Sequence, residues 1–207
     1  MGKKNFDFSG RCGILSDVDI KNALKSGVLE VQPLNGLNIQ PSSIDIHLAK
    51  TILVFARRRV GEAAIDLKKP VDEFMDYEVI DPKKGGVLHP KEFILGVTEE
   101  WVKLPNWLCM NVDGKSSLGR LGLVIHATAG FVDPGFEGHI TLEITNFTDL
   151  PLIIYPGMAI GQFRFSALMS PAEHIYGEAI LGSKKYKNSF SKEPKPIASQ
   201  YWKNLVK

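Results

Sequence analysis

The sequence has little of what most readily assigns a chain to a class. Two cysteines, Cys12 and Cys109, occur in 207 residues. They lie far apart and form no CxxC pair, which argues against a disulfide framework and a cysteine-based zinc site. The five histidines (His47, His89, His126, His139 and His174) include no HxxxH pair, and no HxE…PCxxC zinc constellation is present. No run approaches the ~20 apolar residues of a membrane span, and Met1 to Arg11 is basic and polar, without the apolar centre of a signal peptide. The formal net charge of +2 gives no broad basic surface for nucleic acid, and Arg57-Arg58-Arg59 and Lys184-Lys185 read as solvated strand ends. Neither a GxSxG elbow nor a GxxxxGK[ST] phosphate loop occurs. The 44% hydrophobic content suffices for one packed core. The expectation is a soluble, cytoplasmic protein that binds neither membrane nor nucleic acid.

Against these absences stands a regular pattern. Ser16-Asp17-Val18-Asp19 has the spacing of a capping box, with Asp in place of Glu. Ile20, Ala23 and Leu24 continue an apolar stripe that Gly27 ends, which predicts a helix of about ten residues. Most of the remainder reads as strand and turn. Ser43 to Leu48 alternates polar and apolar, the signature of a half-buried strand, and the pattern recurs in His139 to Thr145 and around Pro151 to Phe165. Pro41, Gly85-Gly86, Pro134-Gly135 and Pro156-Gly157 punctuate these runs. The expected fold is mainly β, an antiparallel sandwich or jelly-roll-like barrel with one N-terminal helix. From about Ser183 to Lys207 the chain is Lys-, Ser- and Pro-rich with isolated aromatics. That composition favours disorder over a flap that closes on a ligand or neighbour.

Three segments carry groups suited to chemistry. Gly114-Lys115-Ser116-Ser117-Leu118-Gly119-Arg120 offers a lysine, two hydroxyls and backbone N–H groups at the start of a short helical turn, with an arginine fork beyond. This suits an anion as well as it suits an ordinary capped turn. Asp133-Pro134-Gly135 is a tight-turn signal that places a carboxylate on a rim beside Phe136. Glu143 falls opposite Ile140, Leu142 and Ile144 on its strand, with Thr141 and Thr145. That face is either solvated or a covered site, where burial would raise a carboxyl pKa into the range useful for proton transfer.

Taken in order, these segments resemble the dCTP deaminase family of the dUTPase-like superfamily. The matching runs are Gln40-Pro41-Ser42-Ser43-Ile44-Asp45, Gly114 to Leu123, Gly130-Phe131-Val132-Asp133-Pro134-Gly135-Phe136, and Gly138-His139-Ile140-Thr141-Leu142-Glu143. Tyr155 to Gln162, Ser170-Pro171-Ala172-Glu173-His174 and Ser183-Lys184-Lys185-Tyr186 complete the series. The resemblance implies a distorted jelly-roll or dUTPase-like β-barrel domain over 14–182, after an N-terminal extension over 1–13 and before a tail or flap over 183–207. It implies a homotrimer with sites between subunits, dCTP and dUTP as substrates, no zinc, and Mg2+ held mainly by the substrate phosphates. Lys115, Ser116 and Ser117 would hold phosphate oxygens, and Arg120 would orient the catalytic carboxylate. Glu143 would move the protons. Backbone groups around His126 to Ala129 and Thr141 would read the base. Asp133 would take the 3′-hydroxyl, and Phe136 would pack on the sugar. Leu118, Gly119, Leu142, Gln162, Tyr176, Lys185 and Ser189 complete the implied substrate contacts.

The family has a monofunctional branch that releases dUTP and a bifunctional branch that proceeds to dUMP and pyrophosphate. Gly130, Phe131, Gly119 and the Ser170 to His174 run look like the bifunctional branch, in which Asp133 and Mg2+ would position a second water. One departure is clear. The family tail runs Lys-Tyr-Gln-Gly-Gln-Arg-Gly, whereas this chain has Lys185-Tyr186-Lys187-Asn188-Ser189-Phe190-Ser191, without the glycines and with a short hydroxyl at Ser189. The alternatives left open are a monofunctional deaminase, a dUTP diphosphatase, and a non-catalytic deoxynucleotide-binding protein.

Overall fold

Local rules build the first helix, α1 (Asp17–Ser26). The Ser16 hydroxyl accepts the Asp19 N–H at 3.3 Å, and the Asp19 carboxylate accepts the Ser16 N–H at 3.2 Å, a reciprocal capping box. Gly27 ends the helix at φ 74°, where its N–H closes on Ala23 and Leu24 carbonyls. Ile20 and Ala23 are buried. The computed structural model describes residues 12–33, 39–56, 64–128, 130–178 and 186–204. Arg57 to Arg59, Ala129, Lys184 and Lys185 fall outside these, as do residues 1–11 of the N-terminal extension.

The strands in chain order are β1 (Gly13–Ile14), β2 (Glu30–Gln32), β3 (Ile39–Gln40), β4 (Ser43–His47), β5 (Thr51–Phe55), β6 (Met75–Val79), β7 (Gly86–Leu88), β8 (Phe93–Lys103), β9 (Leu108–Gly114), β10 (Leu123–Val124), β11 (Phe131–Val132), β12 (Glu137–Asn146), β13 (Leu152–Ile154) and β14 (Ala159–Ala167). A second helix, α2 (Ser116–Gly119), follows β9. One antiparallel sheet has the order β11-β9-β14-β4-β3, with β1 also on β14. A second has the order β10-β12-β8-β5-β6, with β2 on β8, and β13 pairs with β7 in a small ribbon. Ile44, Ile46, Val112, Phe163 and Phe165 from the first sheet share one buried cluster with Val31, Ile94, Val102, Leu142 and Ile144 from the second. Each such side chain contributes about 1.5–3 kcal/mol. The expected mainly β, jelly-roll-like class holds as a sandwich. The two sheets stay open among the described residues rather than closing into the barrel the resemblance suggested.

The tail departs from its composition. Residues 186–204 lie against the second sheet, and alternate residues Pro194, Pro196 and Ala198 are buried, the period of an extended segment. Prolines cannot donate to a ladder, so anchoring comes from isolated bonds. Trp101 Nε1 donates to the Asn188 carbonyl at 2.9 Å, Tyr77 Oη to that of Pro196 at 3.2 Å, and the Ile197 N–H to Thr141 Oγ1 at 3.1 Å. Ala198 joins Leu53, Val71, Met75 and Leu95 in a second buried cluster.

Candidate active site

Strand parity fixes Glu143. With Leu142 and Ile144 in the core, Glu143 stands on the outer face of β12, half-buried. A loop folds back over it. The backbone N–H groups of Ala127 and Thr128 both donate to Oε2 at 3.1 Å. The Thr128 hydroxyl lies 3.2 Å from Oε2 and 3.4 Å from Oε1. Oε2 thus takes most of the loop's donors, and Glu143 also lines the cavity beside it. The solvated-face reading of Glu143 is replaced by a carboxylate of fixed orientation.

Glu143 lines a cavity of about 520 Å³ together with Phe131, Asp133, Phe136, Thr141 and Tyr176. These positions all come from the motifs singled out in the sequence. The Asp-Pro-Gly turn forms as its residues require: Gly135 takes φ 77°, and the Phe136 N–H closes on the Asp133 carbonyl at 3.2 Å. Asp133 is exposed at the rim, while Phe136 is buried and meets Tyr176 edge-on, ring centroids 5.3 Å apart. Burial raises the Tyr176 phenol above its usual pKa, an effect the Tyr186 and Asp133 charges add to. The tail closes one side with Tyr186, from the Ser183 to Tyr186 run, and with Ile197, Tyr201 and Trp202, which were not read from sequence.

The residues expected to meet an anion lie elsewhere. Lys115, Ser116, Ser117, Leu118, Gly119, Arg120 and Gln162 do not line this cavity. Ser116, Ser117, Gly119 and Arg120 are exposed on or beside α2, and Leu118 packs against the core. Lys115 Nζ lies 2.5 Å from Asp45 Oδ1, and Gln162 Oε1 accepts the Ser43 hydroxyl at 3.3 Å. Both sit on the outer face of the first sheet, opposite its core residues Ile44, Ile46, Phe163 and Phe165. The shared core separates the two outer faces, so in one chain Glu143 faces away from Lys115 and Gln162.

Several sequence expectations change with the geometry. Ala127 and Thr128 N–H groups hold Glu143 rather than stand ready for a base, and the Thr141 hydroxyl is engaged by the tail. The Leu142 side chain is fully buried, so this residue can offer a ligand only backbone. Glu143 takes its orientation from the 127–128 loop, with no ion pair to Arg120 of the same chain among the described residues. Ser189 is exposed, whereas its neighbour Asn188 accepts the His139 N–H at 2.8 Å. Gly130 has no room for a side chain, since a Cβ would stand 2.9 Å from the Val112 carbonyl oxygen and 3.3 Å from the His126 ring. Lys185 and Ala129 lie outside the described residues. Asp45 belongs to the Gln40 to Asp45 run, yet the polar-apolar alternation there did not mark it as buried.

Residues 14–168 match the family model described as dCTP deaminase-like. The chain is 44% identical over 194 residues to a protein of Mycobacterium sp. (strain KMS) named dCTP deaminase, dUMP-forming, covering 94% of this chain and 98% of that one. A protein of the same name from Corynebacterium jeikeium (strain K411) is 47% identical over 171 residues, 83% of this chain and 90% of the relative. The crystal structure of 2'-deoxycytidine 5'-triphosphate deaminase from Agrobacterium tumefaciens superposes with a TM-score of 0.59 at 23% identity. That match covers 75% of this chain and 48% of the other, about half its length, and it concerns the fold. On the extent of the family match and the identity to its relatives, the chain belongs to the dCTP deaminase-like family.

Proposed function

We propose that the protein converts dCTP and two waters to dUMP, ammonia and pyrophosphate, at sites shared between copies of the chain. The observation that carries this reading is the Glu143 carboxylate, held through Oε2 by the 127–128 loop and lining a cavity that also holds Asp133, Phe136 and Tyr176. The names of the close relatives support the dUMP-forming outcome. Glu143 Oε1 takes a proton from the water that attacks C4 of cytosine and delivers it to N3. It then assists a second transfer to the departing amine, which leaves as ammonia. Such general acid–base work contributes a factor of order 10²–10⁴. Phe136 and Tyr176 wall the sugar, and Asp133 takes the 3′-hydroxyl. Asp133 then positions the second water for attack on the α-phosphorus, which expels pyrophosphate.

The arrangement of the two outer faces supports a shared site. Lys115, Ser116, Ser117 and Gln162 on one chain and Glu143 on the same chain face apart, so the nucleotide's two ends fit the faces of two copies. A homotrimer satisfies this, with Arg120 of a neighbouring copy brought to the carboxylate. A triphosphate carries roughly four negative charges, more than Lys115 and Arg120 neutralise. Among the described residues no three His, Cys, Asp or Glu side chains gather as a metal cage. Magnesium would be held by the substrate phosphates and would offset part of that charge.

Product analysis tests the reading. Wild-type protein given dCTP and Mg2+ should yield dUMP without accumulating dUTP, and Glu143→Gln should form either product about 10²–10⁴ times more slowly. Accumulation of dUTP alone would reduce the activity to deamination, and turnover by the variant at the wild-type rate would remove Glu143 from the chemistry.

A further inference from the structure

Outside the cavity, Asp45 on strand β4 is a deeply buried carboxylate, 3% exposed. Its two oxygens are bound differently. Oδ1 meets Lys115 Nζ at 2.5 Å, and Oδ2 accepts Gln40 Nε2 at 3.3 Å. Asp45 stands opposite Gln162 in the β4–β14 ladder, and Gln162 stands opposite Asp113 in the β14–β9 ladder. Lys115 follows two residues beyond Asp113, so its side chain reaches across β14 to Asp45. Ser43, two residues before Asp45, holds Gln162 at 3.3 Å. The Gln40 to Asp45 run, which had no part in the chemistry above, thus grips both residues proposed to meet the phosphates.

Stability does not account for such a pair. Taking a carboxylate and an ammonium out of water costs about as much as their attraction returns, and apolar replacements are commonly neutral or better. An ammonium has three donors. One meets Asp45, and the lysine side chain stays a quarter exposed, where an anion can reach it. We infer that Asp45 is a positioning residue: through Lys115 it fixes a two-pronged donor for the phosphate end of the nucleotide, with Gln40 holding the carboxylate in place. The inference rests on the function proposed above.

The phosphate end is remote from C4, so losing its anchor removes binding common to ground and transition states. This raises KM and leaves kcat in place. Asp45→Asn keeps the shape and the Gln40 contact but frees the lysine, and Lys115→Gln removes the charge while leaving the buried carboxylate a donor. With folding checked by thermal melts, Asp45→Asn should raise the KM for dCTP ~10-fold, the equivalent of one charge-assisted bond, with kcat within about twofold. The Kd for inorganic triphosphate, measured by calorimetry without turnover, should rise in parallel. The double variant should be no worse than Lys115→Gln alone, because both act through one group. An unchanged or lower KM, a fall in kcat alone, or effects that multiply in the double variant would each overturn the inference. Absence of dCTP turnover by the wild type would instead count against the proposed function, and the triphosphate titration would still decide the role of Asp45.

Discussion

Replacing Asn188 by Ala should release the tail from the cavity without melting the core. The His139 N–H donates to Asn188 Oδ1 at 2.8 Å, and His139 is 4% exposed. Alanine leaves that donor unpaired where water does not reach, at a cost of about 1–3 kcal/mol. The amide's other bonds, 3.5 Å to the His139 carbonyl and 3.3 Å to that of Tyr186, are long and add little. The penalty disappears once the tail lifts and water reaches the site, so local opening should become about 5–150-fold more frequent. Hydrogen exchange read by mass spectrometry should show lost protection in peptides covering 186–204 and in the 137–141 segment they cover. Peptides from β9 and β14 should keep theirs. Because Tyr186, Ile197 and Trp202 line the cavity, the KM for dCTP should rise as well. Tail exchange within twofold of wild type, or protection lost evenly across the core, would refute the reasoning.

Other expectations follow from single contacts. Glu143→Gln should lower kcat by about 10²–10⁴ with a melting temperature within a few degrees of wild type, because the amide oxygen can still accept the Ala127 and Thr128 N–H groups; turnover and thermal melts read the two together. Gly130→Ala places a Cβ 2.9 Å from the Val112 carbonyl oxygen, which should cost about 1–3 kcal/mol and shift the products from dUMP towards dUTP, as chromatography would show. Burial holds His139 below the usual histidine pKa of 6.5, and its Nε2 accepts the Ser191 N–H at 3.0 Å. A depressed folded pKa gives a contribution present above the unfolded value and lost as pH falls through the folded one. The tail should therefore loosen on acidification below pH 6.5 and not on alkalinisation, which proteolysis at Lys187 and Lys192 across that range would report.

How much of the fold could be read in the sequence depended on the range of the forces involved. The α1 caps involve Ser16, Asp19 and Gly27, neighbours in the chain, and the helix forms where their spacing places it. β12 was equally legible, because Ile140, Leu142 and Ile144 face one core. β4 was not. The Ser43-Ile44-Asp45-Ile46 alternation predicts one solvated face, yet all four residues are buried, because Lys115 arrives over that face from a strand distant in sequence. Composition misjudged the tail for a related reason. Lysines and serines dominate it, but Pro194, Pro196 and Ala198 recur at the period of an extended segment, and a sheet face with Leu53 and Leu95 was waiting to be covered.

For the site, parity supplied the outward direction of both Glu143 and Gln162 and could go no further. Each lies on the side of its strand away from buried aliphatic or aromatic residues, and a reading confined to strands would place both on one polar surface. Which sheet each strand joins decides the matter. β12 pairs with β8 and β10, whereas β14 pairs with β4 and β9, so the core that buries Leu142 and Phe163 also sets Glu143 and Gln162 back to back. Residues that the motifs place in one reaction are thus held apart by the fold of one chain. On the proposed function a second copy would bring them together without altering either sheet, whereas rearranging one chain to do so would require turning a buried face to water. At about 1.5–3 kcal/mol for each of Ile44, Ile46, Phe163 and Phe165, that rearrangement costs on the order of the whole stability of a domain.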